Sequence, residues 1–244
     1  MISYNDIFKQ RGHLYDQAMK KYSYARDHEF TQLFTYVDFT NIINIADIPS
    51  GGSYLTRFLP SNCQIDAIEP CDSLSHTPSQ HSNHLLENIS LPTHHYDLVV
   101  CLAAIHHISN KQLFIGSLYN ALKNNGYLCI ADVAHNNTIN VFLDEFAGRH
   151  NGTGHSGEYI DSSTITGIIE PLGGVILSNK EIPCPWVFSD EESMLDFCKL
   201  LFGLKNISDE ELLQALNHYV GISYNESTVQ LQWQLLYATI KKPL

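Results

Sequence analysis

Three carboxylates, Asp47, Glu69 and Glu87, each close a short apolar run. The first opens Asp47-Ile48-Pro49-Ser50-Gly51-Gly52-Ser53, the second is followed by Pro70 and the third by Asn88. Acids at the carboxyl ends of successive parallel strands face the edge of an open sheet where ligands bind. Paired glycines let backbone N–H groups approach a nucleotide-like ligand closely. Glu69 lies 22 positions after Asp47, near the roughly 20-residue offset at which an acid reaches ribose hydroxyls. A pyrophosphate, however, requires G-x-G-x-x-G. Here Pro49 fills the first glycine slot, and Asp47 would set a negative charge beside phosphates. An anion is a poor guest for such a turn, and a cation with an amino group is a good one.

Histidines form the second group with chemical capacity. His106-His107 follow the apolar run Leu98 to Leu102. An imidazole titrates near neutrality and is suited to removing a proton from an acceptor. His106 is the expected base or substrate contact, while His107 either lines the cleft or caps the next helix. The stretch Gly148 to Tyr159 holds four glycines with His150, His155 and Tyr159, and reads as a mobile loop whose His150, His155 and Tyr159 are candidates for substrate contact. His155 is the second catalytic candidate. Neither His94-His95 nor His106-His107 has zinc-like spacing or a cysteine at a ligand offset, so no metal is expected.

The elements that must position these residues alternate strand and helix from about residue 41. Strands are expected at 42–47, 64–68, 84–86, 98–102, 127–133 and 175–182, with a long final one at 229–241. Helices are expected from Tyr54, at 111–122, 165–172, 191–202 and 209–219. That alternation predicts an α/β fold, a mostly parallel seven-stranded sheet with helices on both faces. Residues 1–40 read as an N-terminal helical cap, with Tyr15, Met19, Tyr22 and Arg26 at helical spacing. Tyr15, Tyr22 and Arg26 are candidates for a lid over the ligand. Residues 41–244 read as one domain with cap insertions around 135–165 and 183–226, the second a helical insertion before the last strand. Trp186 and Phe188 are expected to plug its base.

Together these segments resemble the Rossmann-like, class I S-adenosylmethionine-dependent methyltransferases, in particular the small-molecule branch of types 11 and 12. Asp47 to Gly52 matches the first motif, with proline in the third slot and Ser53 where a further glycine is usual. Glu69 matches the ribose-binding acid. Glu87-Asn88, just before Leu91-Pro92, matches the adenine-contacting position. Tyr96 to Val100 and Leu122 to Leu128 match the fourth and fifth strand motifs, so the likeness covers residues 40–135. The resemblance implies S-adenosylmethionine as cofactor, S-adenosylhomocysteine as product, and a cofactor site of Asp47, Pro49, Ser50, Gly51, Gly52, Glu69, Pro70, Glu87, Asn88, Leu102 and Ala103. It also implies methyl transfer to a small molecule. Two alternatives stand beside that reading: a methyltransferase-like protein that binds cofactor or partner without catalysis, and a nicotinamide-dependent reductase.

Composition narrows the partners. A net charge of -12 over 244 residues opposes a phosphate-tracking nucleic-acid binder, which needs a basic face. Six cysteines without a C-x-x-C pair fit a reducing, cytoplasmic setting. No apolar run reaches the length of a membrane span, and a monomer or homodimer is expected.

Overall fold

The structure, a computed structural model, describes residues 3–74 and 84–244. Its main sheet has the strand order β2-β1-β3-β4-β9-β5. The strands are β1 (Asn44–Asp47), β2 (Gln64–Ala67), β3 (Tyr96–Leu102), β4 (Leu122–Asp132), β5 (Val175–Pro183) and β9 (Gln234–Lys241). β2, β1, β3 and β4 run parallel, while β9 lies antiparallel to both β4 and β5. β1 and β3 are apolar on both faces, with Ile45, Ala46, Leu98, Val99 and Val100 all fully buried, so they belong in the middle of a covered sheet. Their register sets Asp47 against Val100 and Leu102 against Ala131. Asp47, Leu102 and Asp132 therefore emerge at one sheet edge, and Glu69 follows the end of β2.

Helices cover both faces: α3 (Lys111–Ala121) and α6 (Ser162–Ile169) lie in one apolar layer, α7 (Glu191–Phe202) and α8 (Asp209–Tyr219) in the other. The chain begins with α1 (Tyr4–Lys21) and α2 (Asp27–Gln32). Each fully buried aliphatic or aromatic side chain in these layers contributes about 1.5–3 kcal/mol. α1 comes so close to the loop after Glu69 that a Cβ on Gly12 would lie 2.3 Å from Ser73 Oγ. It is latched there by Ser73 Oγ donating to the Phe8 carbonyl at 2.6 Å and by Tyr54 donating to Asp16 at 2.6 Å.

Four expectations change. The main sheet has six strands, not seven. The segment expected as a strand at 84–86 instead forms a single 3-10 turn at Leu86–Asn88; only Leu86 of its apolar pair is buried, and Glu87 and Asn88 face solvent. The expected helix at Tyr54 is a five-residue 3-10 turn ended before Pro60. The expected long strand at 229–241 breaks at Gln232-Trp233. Its first part, β8 (Val229–Leu231), pairs with β6 (Trp186–Phe188) and β7 (Ile222–Tyr224) in a separate antiparallel sheet. Trp233 turns inward at the break and stacks on Trp186 with ring centroids 4.1 Å apart, so burying a large aromatic wins over continuing the ladder.

Between β4 and α6 the chain forms α4 (Thr138–Val141), a π-helical turn at Phe142–Ala147 and α5 (Gly148–His150). Beyond it the loop returns to the sheet at Ile160, which bridges Ala134. Among the described residues no helix is long and apolar enough to cross a membrane.

Candidate functional site

After β1 the backbone takes positive φ at three successive residues, Gly51 (52°), Gly52 (91°) and Ser53 (64°). Glycine is what makes the first two accessible at little cost. The turn lets Gly51 donate its N–H to Glu69 at 2.8 Å. Asp47, Pro49, Ser50, Gly51, Leu102 and Ala103 line a hollow to which Tyr4, Phe8, Tyr15 and Arg26 also contribute. Asp47 is 3 % exposed and its Oδ2 has no hydrogen-bond partner. Burial, helped by the nearby Glu69 charge, pushes its pKa up to about 8. Glu69 is pushed up to about 7, by burial against three opposing hydrogen bonds. A buried carboxylate without a partner is costly. Here it faces a hollow that a cationic amine would fit.

Tyr4 is the residue that sequence reasoning missed on this side. Its hydroxyl donates to Glu69 Oε2 at 3.1 Å, the acid expected to receive ribose hydroxyls. Tyr4 also lines a second hollow, with Asn5, Glu87, His107 and Ser109. The side chain thus borders both hollows, the one that holds Asp47 and the one that holds Glu87. Glu87 itself is exposed and accepts the Ser109 N–H at 3.1 Å. Asn88 is exposed and Pro70 is buried; neither lines the Asp47 hollow, and Pro70 offers its carbonyl to Asn5 at 3.2 Å. Gly52 is buried in the turn.

Across Ala103, which borders both spaces, lies a third hollow. Its floor is His106, His107 and His155, and its aromatic walls include Phe8, Trp186, Phe202 and Trp233. Two imidazoles are held by carboxylates. His106 Nδ1 lies 2.6 Å from Asp132 Oδ1, and His155 Nδ1 lies 2.6 Å from Asp144 Oδ1. Asp132 also accepts the His106 N–H at 3.0 Å, so ring and backbone are fixed together. Asp144 sits in the π-helical turn and also accepts Tyr159 Oη at 2.7 Å. Each carboxylate takes Nδ1 and leaves Nε2 for other partners. Burial lowers the His155 pKa, and Asp144 only partly offsets it, so this imidazole is neutral at neutral pH.

His106, His107 and His155 each offer one ligand atom, all within 4.8 Å of one another. The expectation of no metal rested on the spacing of the doublet alone, and the long loop supplies a third imidazole that spacing could not reveal. Zinc holds nitrogens at about 2.0–2.1 Å, so modest ring rotations would bring the three into range. Micromolar Zn²⁺ is accordingly expected to inhibit turnover by occupying these nitrogens, with recovery on chelation; unchanged rates under zinc would show that they do not converge in solution.

Other candidates stand elsewhere. Tyr22 donates to Asp196 at 2.8 Å and packs on Phe188 and Phe197, binding α1 to α7 instead of lining a hollow. His150 lies against Phe146 and lines none of the three hollows. Arg26 lines both main hollows but is paired with Glu29, through Nε at 2.9 Å, and donates to Tyr15 at 3.0 Å. Trp186 is buried, lines the histidine hollow and donates to Glu29 at 2.7 Å. Sequence reasoning also missed Arg11, Asp132 and Asp144. Arg11 was legible in principle, since Tyr4, Phe8, Arg11 and Tyr15 continue the α1 stripe at helical spacing. Asp132 is a fourth strand-end acid.

A family model described as methyltransferase domain matches residues 43–173. No curated protein matches the chain by sequence. Among solved structures, an S-adenosylmethionine-dependent methyltransferase from Thermotoga maritima is similar at 12% identity with a TM-score of 0.59, covering 97% of this chain and 98% of its own. A Haloferax volcanii methyltransferase solved with the Trm112 methyltransferase activator gives 0.63 at 12% identity, covering 99% and 98%. Phosphoethanolamine N-methyltransferase 2 of Haemonchus contortus, solved with phosphomonomethylethanolamine and S-adenosylhomocysteine, gives 0.61 at 13% identity. The match covers 100% of this chain and 61% of that longer one. At such identities the likeness speaks for the fold.

Proposed function

The chain belongs to the methyltransferase-domain family, and from that premise we propose that it transfers the methyl group of S-adenosylmethionine to a small molecule held over the histidine floor. The observation that carries this reading is the buried, unpartnered Asp47 carboxylate in a hollow that meets the histidine hollow at Ala103. Asp47 would hold the amino group of the cofactor, Glu69 the ribose hydroxyls once Tyr4 yields, and Glu87, in the second hollow, the adenine end. The cofactor supplies the methyl group as a sulfonium. What the chain supplies is alignment, a dry approach between aromatic walls, and an acceptor for the proton.

His106 is the assigned base, with Nδ1 fixed by Asp132 and Nε2 left for the acceptor's proton. His155, His107 and Tyr159 shape the same surface; the His106 and Tyr159 rings stack with centroids 5.6 Å apart. The aromatic lining of the hollow and the acidic balance of the chain support a small acceptor over a nucleic acid. Six free thiols support a cytoplasmic setting.

Calorimetry with S-adenosylmethionine, S-adenosylhomocysteine and NADPH tests the cofactor assignment. Both adenosyl ligands are expected to bind and NADPH is not. Tyr4→Phe is expected to tighten adenosyl binding several-fold, about the worth of one hydrogen bond, because Glu69 no longer has to release a phenol. Binding of NADPH alone would overturn the assignment, and weaker adenosyl binding by Tyr4→Phe would show that the phenol assists the ligand instead of competing with it.

A further inference from the structure

Arg11 has no role in the reading above, yet it lines the histidine hollow from the middle of α1. It is 8% exposed. Its Nη1 donates to the Phe202 carbonyl at 2.7 Å, and its Nε is buried without a partner. Among the described residues no carboxylate pairs with it, in contrast to Arg26, whose charge Glu29 neutralises in the same hollow. A guanidinium in such a place is costly unless an anion meets it. With Nη1 engaged, the edge formed by Nε and Nη2 remains, and that edge matches the two oxygens of a carboxylate.

We propose that Arg11 is the anchor for a carboxylate on the methyl acceptor. This rests on the reading of the histidine hollow as the acceptor site and narrows it to a class. The acceptor carries an apolar or aromatic body against Trp186, Phe202 and Trp233, a carboxylate on Arg11, and a proton-bearing oxygen or nitrogen toward His106. Six charged or titratable residues line this hollow with Arg11: Tyr15, His106, His107, His155 and the paired Arg26 and Glu29. None of them is a fixed anion left over to neutralise Arg11. A single guanidinium balances a carboxylate, whereas a phosphate dianion would leave one charge buried and unmatched.

The only two tryptophans of the chain, Trp186 and Trp233, both line this hollow, so intrinsic fluorescence reads its occupancy directly. The probes are 4-hydroxyphenylacetate, its uncharged amide 4-hydroxyphenylacetamide, and phenyl phosphate, titrated with and without S-adenosylhomocysteine. Wild type is expected to bind the acid about tenfold or more tightly than the amide, the worth of one charge-assisted hydrogen bond. Arg11→Gln is expected to remove that preference while leaving amide affinity in place, and Arg11→Lys to restore part of it. Equal binding of acid and amide by wild type, no quenching by either, tighter binding of phenyl phosphate, or a preference kept in Arg11→Gln would each overturn the proposal. Calorimetry of S-adenosylhomocysteine on the same variants reports folding of the site. Loss of that ligand from wild type would sink the cofactor reading without touching the acid-to-amide comparison.

Discussion

Replacing Asp47 with asparagine is expected to make the ligand-free protein more stable near pH 8 and to weaken S-adenosylmethionine binding about tenfold to a hundredfold, the worth of a buried charge-assisted contact. Both effects come from one observation: a carboxyl 3 % exposed, with Oδ2 unpartnered, in a hollow. Burial first and Glu69 second raise its pKa to about 8 from an ordinary 3.8. Between those values the folded chain keeps a proton that the unfolded chain has lost. Stability therefore falls as pH rises from about 4 to about 8 and is level above that. Glu69, raised to about 7 from 4.5, adds a slope of the same sign over a narrower window. Asparagine removes only the Asp47 part, so the stability advantage of the variant over wild type grows through that window.

Binding carries the opposite sign. The cofactor's ammonium requires Asp47 ionised, so affinity rises from pH 6 toward pH 8, and a proton leaves the site on binding at neutral pH. Urea unfolding at pH 5 and pH 8 checks the stability claim. Calorimetry in buffers of different ionisation enthalpy counts the released proton. Parallel pH profiles for wild type and Asp47→Asn would remove Asp47 from the role of buried acid, and unchanged affinity would remove it from the site.

How far the site was legible in the sequence depends on which forces place each residue. Asp47, Glu69 and Ala103 were legible because strand-end position follows from local patterning: a β-branched run, an acid, then glycines. The sheet edge does the rest. Glu87 was legible by type and order, yet its expected strand does not form, because two leucines followed by an acid and an asparagine present too little apolar surface to hold a strand. The carboxylate partners of the histidines belong to a different category. Asp132 meets His106 only because β3 and β4 are adjacent and in register. Asp144 meets His155 only because a π-helical turn aims it across the loop. Such long-range pairings leave no period in the sequence. Tyr22 shows the converse, since its helical spacing was real but its side chain meets α7 and lines none of the three hollows. A stripe identifies a buried face without saying what buries it.

His106→Gln is expected to lower kcat by about a hundredfold to ten-thousandfold, the range for loss of a general base, while leaving S-adenosylhomocysteine affinity unchanged. The geometry gives the reason for each half. His106 Nδ1 is 2.6 Å from Asp132, and the same carboxylate receives the His106 N–H at 3.0 Å and the Val133 N–H at 2.7 Å. These bonds favour one ring orientation, with Nε2 on the hollow proposed for the acceptor. The cofactor hollow does not include His106, so cofactor affinity has no cause to fall. Asp132→Asn keeps the size of the side chain but not the charge, and is expected to cost less than His106→Gln because the imidazole survives in a less fixed orientation. The pH profile separates chemistry from packing. Wild type should show kcat/KM rising with pH to a plateau. His106→Gln should lose that limb and rise only as the acceptor itself ionises in solution. Should His155→Gln remove the limb while His106→Gln keeps it, the proton would pass to the Asp144-held imidazole instead, and the base would have to be reassigned across the same hollow.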